Sequence, residues 1–416
     1  MEQPARRFHL EIGEPVLVTQ GAVGDRAWGH YNFPSIKFTD KGHILVGWQY
    51  SADDIDYQSA PEDVLVNMIS EDEGKTFRPP CAADGLSRNH AYASRTKFVR
   101  MKNGKDFIGF QIKGAYPAEY INKYTPAYKG RIKNYYFVED IAETEDTTVY
   151  AIQRDPVTGE EETFACDVRW PYSVLQQFVH RGLLFPHTMT FALHGCNTLV
   201  DINGDLYIVV YACGPDSEAK TREEAIHKYM DYSGCYVFKS ADCGHTWEYV
   251  SQVLVDDDTF SDAKGFEGLD EPHMKVMPDG SVAMLMRTGS THPSYITHST
   301  DLCKTWSKPQ IFDDCGVLPC LLPLKCGVTL ASYGRPVLKV RATVDPAGMV
   351  WEDPIQIPLH GMHKENHMDR SCFYTQMVAL DDKRALVVFA DSQYPNEDGE
   401  PTKAICVREI RVVFED

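Results

Sequence analysis

The sequence SADCGHTW at Ser240–Trp247 decides the fold, because closely similar versions of it occur at two other places in the chain. The other two copies read SEDEGKTF at Ser70–Phe77 and STDLCKTW at Ser299–Trp306. Each copy directly follows an apolar run typical of a β-strand, namely VLVNMI, CYVFK and SYITH. A short motif that recurs at long intervals is typical of a repeat fold, so we expect the chain to consist of similar units.

The shared pattern, SxDxGxTW, predicts a tight turn. Its Asp can accept backbone N–H groups across the turn, and its Gly supplies the positive φ that such turns need. The third copy carries Cys303 at the glycine position. A fourth copy, RATVDPAGMVW, keeps Asp345, Gly348 and Trp351, and RDPVTGEEETF at Arg154–Phe164 is a weaker one. We interpret the motif as structural and assign it no chemistry.

A second repeat, consisting of an apolar strand, a polar turn and another apolar strand, interleaves with the first. Its six copies have turns at Gly42, Gly104, Gly204, Gly280, Gly327 and Lys383. These turns recur on average every ~68 residues, so six units account for the 416 residues. The pattern predicts an all-β fold, a six-bladed β-propeller of four-stranded antiparallel blades. The N-terminal EPVLVTQ and the C-terminal AICVREIRVVF are expected to share one blade.

We expect residues 1–416 to form a single domain, because no linker rich in Pro, Gly or Ser separates the units. The long interval between Gly104 and Gly204 predicts an insertion at about residues 114–192. The first part of the insertion is rich in tyrosine, with Tyr116, Tyr120, Tyr124, Tyr128, Tyr135 and Tyr136. Aromatic clusters usually serve burial, so we favour a self-packed or subunit-contacting excursion. A pocket wall is the alternative.

Composition excludes several classes of partner. The net charge of −19 and the absence of a basic block argue against nucleic acid and anionic membranes. The start, MEQPARRFHLEIG, has no apolar core of a signal peptide, and no stretch is apolar enough to span a membrane. We therefore expect a cytoplasmic protein, or a secreted or periplasmic one if a signal peptide has been removed. Twelve Cys without a CxxC pair favour reduced thiols over a disulfide framework.

The turn motif is known as the Asp-box, and together with the six hairpins it makes the chain resemble the sialidase (neuraminidase) superfamily of six-bladed propellers over nearly its whole length. In EPHMKVMPDGSVAMLMR, Glu271 and Arg287 are 16 residues apart, as are the glutamate and the second substrate-binding arginine of that family. In SCFYTQMVALDD, Tyr374 opens the last hairpin, where the family places its nucleophile. Arg335 in ASYGRPVLKV stands where the third arginine of the family is expected.

The chemistry that the resemblance implies explains these residue types. Sialic acid carries its carboxylate on the anomeric carbon, so a neutral tyrosine avoids the repulsion that a carboxylate nucleophile would meet. Tyrosine, with an ordinary pKa of about 10, needs a base beside it, and the resemblance gives that role to Glu271. Arg287 and Arg335 would bind the substrate carboxylate through planar, two-point hydrogen bonds.

The resemblance also places an acid/base aspartate on the loop after the first hairpin. The loop sequence SADDIDYQSAPED offers Asp53, Asp54, Asp56 and Asp63. Asp56 has the best spacing and is our prediction, while a purely solvated acidic loop is the alternative. His194 and Asn197 in LHGCNT begin the third hairpin and are predicted substrate contacts.

One position departs from the family pattern. The family carries its first arginine in a YRIP motif, whereas this chain reads YNFP with Asn32 in that position. Losing one charge-assisted contact costs about 1.5 to 3 kcal/mol, roughly tenfold to a hundredfold in affinity. Arg26 in GDRAWGHYN is a possible substitute. The change also predicts a different ligand, a non-sialic sugar with Asn32 bonded to a hydroxyl.

Other motifs are weaker. HGMHKENHMD contains potential divalent-metal ligands, which are His360, His363, Glu365 and His367. Their spacing fits no established zinc pattern, so we favour a polar loop and predict no metal and no cofactor. No Walker loop, no GxGxxG before a helix and no GxSxG elbow occur.

The leading hypothesis is an exo-acting glycosidase that hydrolyses a terminal sialic acid or a related acidic or hydroxylated sugar, so that carbohydrate is the expected partner. Two alternatives remain open. One is a polysaccharide lyase that uses Tyr and His on a uronic acid, and the other is a non-catalytic carbohydrate-binding propeller. The sequence leaves the sugar, the linkage and the oligomeric state undecided.

Overall fold

The computed structural model describes residues 7–25, 27–50, 66–84, 99–112, 116–117, 123–131, 134–141, 148–178, 183–186, 199–360 and 371–415. Within these residues the chain is nearly all β. Helical structure there is limited to α1 (Arg222–Ala225) and to the 3-10 turns Ala82–Asp84 and Val138–Asp140. Among the described helices, none has the length and apolar character needed to cross a membrane.

The chain divides into two compact units. The first comprises Met1–Arg95, Met277–Gly280 and Asp313–Asp416, and the second comprises Thr96–Val276 and Ser281–Phe312. We call them unit 1 and unit 2. The prediction of a single domain stays a prediction.

Among its described residues, unit 1 contains three sheets. The first is β3 (Asn32–Phe38), β4 (Ile44–Gln49) and β5 (Asn67–Ser70). The second is β24 (Val317–Pro323), β25 (Thr329–Gly334), β26 (Leu338–Thr343) and β27 (Ile355–Ile357). The third is β28 (Thr375–Ala379), β29 (Arg384–Pro395), β30 (Pro401–Phe414), β1 (Phe8–Ile12) and β2 (Val16–Gln20). Both N-terminal strands pair with β30, so the two ends of the chain share one sheet, as predicted.

The described part of unit 2 also contains three sheets. The first is β6 (Val99–Arg100), β7 (Asp106–Ile112), β11 (Val149–Arg154) and β12 (Glu161–Ala165). The second is β8 (Tyr116–Pro117), β9 (Tyr128–Lys129), β10 (Asn134–Phe137), β14 (Val174–Phe178) and β15 (Leu183–Pro186). The third has nine strands, which are β13 (Asp167–Arg169), β16 (Val200–Ile202), β17 (Asp205–Cys213), β18 (Ser233–Ser240), β19 (Thr246–Val253), β20 (Phe266–Val276), β21 (Val282–Gly289), β22 (Ser294–Ser299) and β23 (Gln310–Asp313). Within it, a single parallel pairing of Ser233 with Gly268 joins β18 to β20.

All six hairpins predicted from the sequence are present as antiparallel pairs. They are β3–β4, β6–β7, β16–β17, β20–β21, β24–β25 and β28–β29. In five of them the turn glycine has a left-handed φ between 77° and 90°. A Cβ at Gly42 or Gly327 would meet no atom within 4 Å, so backbone conformation rather than crowding explains these glycines.

The three good copies of the repeated turn have the same hydrogen bonds. The Ser hydroxyl accepts the N–H of the fifth residue at 2.8 Å in Gly74, 2.8 Å in Gly244 and 3.0 Å in Cys303. The Asp carboxylate accepts the N–H of the following Thr in each copy. Cys303 adopts a left-handed φ of 64° although it has a side chain, and that side chain is buried in the core of unit 2. Its burial explains why a residue other than Gly occupies this position.

The insertion predicted at about residues 114–192 is described in part. Its Tyr128 and Tyr135 pack with Phe137 in one apolar cluster, which also contains Cys213 and Met230 from outside the insertion. The Tyr135 side chain is fully buried. In this part of the insertion, aromatic residues therefore serve packing within unit 2.

Candidate active site

The predicted site residues fall in both units. Tyr374, Arg335 and Asn32 belong to unit 1, while Glu271 and Arg287 belong to unit 2. Other predicted residues lie outside the described part of the chain, namely Asp56 with its alternatives Asp53, Asp54 and Asp63, together with His194, Asn197 and Arg26. The meeting of Tyr374 with Glu271 stays a prediction.

In unit 2 the spacing of 16 residues brings Glu271 and Arg287 into contact. They lie on neighbouring strands β20 and β21, and Arg287 Nη1 donates to Glu271 Oε1 at 2.8 Å. Arg287 Nη2 donates to both oxygens of Glu267, at 2.8 and 2.9 Å. The side chains of Arg287 and Glu271 are only 9% and 8% exposed, whereas Glu267 is 45% exposed. The guanidinium thus fixes the position of the Glu271 side chain in a nearly dry setting.

The backbone of β20 is irregular where it carries these carboxylates. Its register with β21 shifts twice, between Phe266 and Asp270 and again between Asp270 and His273. Glu271 itself has a left-handed φ of 43°. Bulges of this kind redirect side chains at sheet edges and next to active sites. These shifts in register explain why Glu267 and Glu271, four residues apart on β20, both reach Arg287.

Asp270 adds a third carboxylate to this cluster. Burial and the neighbouring Glu267 raise its pKa to about 7, although Arg287 and the Ser233 hydroxyl act in the opposite direction. One guanidinium cannot neutralise three carboxylates, so the cluster favours a proton on Asp270. Sequence reasoning missed Glu267 and Asp270. The signal was the acidic run FEGLDEP that opens β20.

In unit 1, Tyr374 lies immediately before β28 and is half-buried. Its ring packs edge-on against Phe33, with ring centroids 5.3 Å apart, and against the apolar core of unit 1. The preceding residue, Phe373, has a left-handed φ of 56° and is buried. The phenol is therefore carried by an entry segment with a left-handed residue, Phe373, whose side chain is buried.

Arg335 is brought next to this segment. A Cβ on the adjacent Gly334 would lie 1.8 Å from the carbonyl oxygen of Phe373, so the two backbones touch and only glycine fits. Two residues before Gly334 on β25, the Ser332 hydroxyl lies 2.9 Å from the hydroxyl of Thr375, the first residue of β28. The end of β25 and the start of β28 therefore carry Arg335 and Tyr374 on adjoining chain segments.

Asn32 has a different environment from the one expected of a ligand contact. Its side chain is fully buried, with Nδ2 donating to the Trp28 carbonyl at 2.7 Å and Oδ1 accepting the Cys372 N–H at 3.0 Å. Phe33 N–H also donates to Cys372 Sγ at 3.3 Å. Asn32 thus ties the first hairpin to the segment that leads into Tyr374. Its role as a sugar contact stays a prediction, and the observed contacts give it a structural role.

The described residues include one group with metal-ligand chemistry, formed by His43, Glu71 and Asp84. Arg78 donates to Asp84 Oδ1 at 2.8 Å and also pairs with Glu71. Because the Arg78 guanidinium already pairs with both carboxylates, we interpret the group as an ion-pair network. His363, Glu365 and His367 of the other potential metal motif lie outside the described residues, and His360 bonds to Asp391.

Comparisons with known proteins show the fold. No protein-family model matches the chain, and no curated protein matches it. A solved structure of a protein of unknown function from Dyadobacter fermentans is similar over 97% of this chain and 99% of its own, with a TM-score of 0.60 and 16% identity. A Hadza microbial sialidase is similar over 94% of this chain and 68% of its own, with a TM-score of 0.51 and 14% identity. An α-L-arabinanase from Penicillium chrysogenum has a TM-score of 0.49 and 11% identity, covering 95% of this chain and 98% of its own. The first two similarities show a shared fold, and at identities of 16% and 14% they leave activity open.

Proposed function

We propose that the protein is an exo-acting glycoside hydrolase built on a sialidase-type six-bladed β-propeller, with Tyr374 as its nucleophile and a terminal acidic or hydroxylated sugar as its substrate. The observation that carries the proposal is the buried Glu271–Arg287 pair, because it holds a carboxylate ready to accept a proton. The similarity to a sialidase over 94% of this chain supports the fold, and the six observed hairpins are consistent with six blades.

In the proposed reaction the Tyr374 oxygen attacks the anomeric carbon and its proton passes to Glu271. The bond to the leaving oxygen breaks while Asp56 supplies a proton to that oxygen. Water, activated by the same aspartate, then displaces the tyrosine and releases the sugar. Arg287 holds the Glu271 carboxyl group in position for the proton transfer through its hydrogen bond to Oε1.

The contacts of Arg287 bear on which sugar would bind. Its Nη1 and Nη2 groups already donate to Glu271 and Glu267. A substrate carboxylate would have to displace Glu267, the more exposed of the two partners, and Asn32 offers no charge in place of the family's first arginine. Arg335 is then the main cation for an acidic group. For this reason we retain a hydroxylated sugar beside sialic acid as the substrate.

The test is turnover of a panel of 4-methylumbelliferyl glycosides that includes the α-sialoside. Tyr374→Phe should lower kcat by roughly 1,000-fold or more, because the residues of a nucleophilic unit act together. Its melting temperature should stay near that of the wild type, because the ring that packs on Phe33 is retained. Tyr295→Phe, at a half-buried tyrosine on β22, is the control and should keep activity.

Retained activity in Tyr374→Phe would overturn the mechanism.

A second candidate is a non-catalytic carbohydrate-binding propeller, favoured by the structural contacts of Asn32 at a position where the family carries an arginine. Wild-type protein that binds a sugar by calorimetry and releases no product by mass spectrometry would select this candidate.

A further inference from the structure

Glu267 is the exposed member of the charged cluster in unit 2. Its side chain is 45% exposed, whereas those of Arg287 and Glu271 are only 9% and 8% exposed. Asp270 is also buried. A molecule that approaches the cluster from solvent therefore reaches the Glu267 carboxylate before it reaches the buried groups.

The backbone presents Glu267 in a fixed position. The residue lies within the first register shift between β20 and β21, where β20 forms a bulge. Gly268, the next residue, has a left-handed φ of 109°, and a Cβ there would lie 2.3 Å from the backbone nitrogen of Ser233. Only glycine fits at this close approach, so the bulge that carries Glu267 is packed directly against β18.

The Arg287 guanidinium fixes the orientation of the Glu267 carboxylate. Its Nη2 donates to both oxygens of Glu267, at 2.8 and 2.9 Å, while Nη1 donates to Glu271 at 2.8 Å. Each carboxylate oxygen has two lone pairs, so both oxygens of Glu267 can accept a further hydrogen bond while they stay bonded to Arg287. A side chain held in this way loses little conformational freedom when it binds a ligand.

The charge of the cluster selects what can bind to it. The two glutamates outweigh the single guanidinium, and Asp270 adds negative charge whenever it is ionised. This excess would repel a sugar carboxylate, which would also have to displace Glu267 from Arg287 to form an ion pair of its own. A sugar hydroxyl can instead donate to Glu267 and leave the ion pair intact. The cluster is therefore suited to an uncharged sugar.

We propose that Glu267 determines the specificity of the Glu271–Arg287 site, because it accepts hydrogen bonds from the hydroxyls of an uncharged sugar and keeps acidic sugars away from Arg287. The proposal rests on the proposed function and deepens it, since it names a neutral sugar as the substrate class. Another paired glutamate of unit 2 lacks these features. Glu248 accepts from Arg169 at 2.8 Å, but the two side chains are 63% and 59% exposed, as in an ordinary surface ion pair.

The first test compares the uncharged glycoside that the wild type hydrolyses fastest with the α-sialoside. The wild type should have the higher kcat/KM on the uncharged glycoside. Glu267→Gln keeps the shape of the side chain and an oxygen that can accept from Arg287, but it removes the charge. Its KM for the uncharged glycoside should rise roughly three- to tenfold, because an amide is a weaker acceptor than a carboxylate. Its KM for the α-sialoside should fall, because a repelling charge is lost.

The deciding quantity is the ratio of kcat/KM for the α-sialoside to kcat/KM for the uncharged glycoside. Glu267→Gln should raise this ratio roughly tenfold or more, and Glu248→Gln, the matched control, should leave it unchanged. A wild type that prefers the α-sialoside, or a ratio in Glu267→Gln equal to that of the wild type, would overturn the inference. With Tyr374→Phe inactive, either result would leave the proposed function standing.

The second test is independent of turnover. Calorimetry measures the binding of two uncharged sugars, arabinose and galactose, and of the acidic N-acetylneuraminate. If the wild type hydrolyses no glycoside of the panel, the proposed hydrolase fails, and this titration then decides the inference. Tighter binding of an uncharged sugar than of N-acetylneuraminate, with a preference that Glu267→Gln weakens or reverses, supports the inference. A wild type that binds neither uncharged sugar, or a preference that the substitution does not change, overturns it.

Discussion

The two units hold their predicted site residues by different means. In unit 2, Glu271 is held by a charge, the Arg287 guanidinium, within a cluster that also contains Glu267 and Asp270. In unit 1, uncharged side chains and backbone groups fix the segment that carries Tyr374. Asn32 bonds two backbone groups, and Gly334 packs directly on Phe373. Substitutions in the unit 2 cluster should therefore change the stability in a way that depends on charge and pH. Substitutions around Tyr374 in unit 1 should change the stability by disturbing neutral hydrogen bonds and close packing.

The difference has a physical basis in solvation. Removing one partner of a buried ion pair leaves a charge without compensation, which is far costlier than losing one neutral hydrogen bond. Neutral hydrogen bonds and close packing are also insensitive to salt, whereas charge interactions at partly exposed positions are screened. The three variants below test this contrast, beginning with the largest expected effect.

Arg287→Ala should destabilise the protein most. It leaves Glu271 and Glu267 without their cation, and we expect a loss of about 3 kcal/mol in the free energy of unfolding, at the low end for a broken buried pair because Glu267 is half-exposed. Urea unfolding measures this loss. Arg169→Ala is the control, since Arg169 also pairs with two carboxylates but is 59% exposed, and it should unfold like the wild type. Equal midpoints for the two variants would contradict the role assigned to charge.

Asn32→Ala should have an intermediate effect. It leaves the buried Trp28 carbonyl and Cys372 N–H without the Asn32 side chain, which we expect to cost about 2 kcal/mol. The loss should be the same at low and high salt, because no charge is involved. Asn103→Ala, at an exposed hairpin turn, is the comparison and should cost less. A loss that depends strongly on salt would remove the contrast between the units.

At about pH 4, Asp270→Asn should have the smallest effect of the three variants, and its effect should grow as the pH rises. The pKa of Asp270 is raised to about 7 in the folded protein, from an ordinary value of 3.8. The folded state therefore binds a proton that the unfolded state has lost, and stability falls as the pH rises from about 4 to about 7. The variant stays neutral, so it should melt close to the wild type at about pH 4 and above it at about pH 8.

The control for this pH dependence is Asp398→Asn, at an exposed turn. It should follow the wild type at both pH values. A variant at Asp270 that is less stable than the wild type at the higher pH would show that the carboxylate is needed in its ionised form.

Local features of the structure were predictable because their causes are local. The six hairpins follow from alternating apolar residues and turn glycines, and both signals lie within a few residues of each other. The contact of Glu271 with Arg287 was also within reach, because a hairpin of known turn position brings those residues close together, although the observed register places Asp270 opposite Arg287. Cys303 is an exception to the expectation that glycine occupies the turn position with positive φ. Its side chain is buried in the core of unit 2, which a local sequence pattern does not indicate.

Other features could not be predicted, because they depend on residues far apart in the chain. The sequence predicts Asn32 as a polar residue of the site. In the structure its side chain is buried and accepts the N–H of Cys372, 340 residues away, so it connects two distant chain segments. Asp391 and His360 are 31 residues apart, and their pairing depends on how the segment before β28 lies on β29.

The amino-acid sequence by itself determined that this chain is a repeated series of antiparallel β-hairpins with structural turns, because turn conformation and strand alternation are set by neighbouring residues. Only the tertiary structure decided which polar groups are buried, which carboxylates share one arginine and which imidazole is oriented. Desolvation and hydrogen bonding depend on every chain segment that packs around a group, and in this protein those segments come from distant parts of the chain.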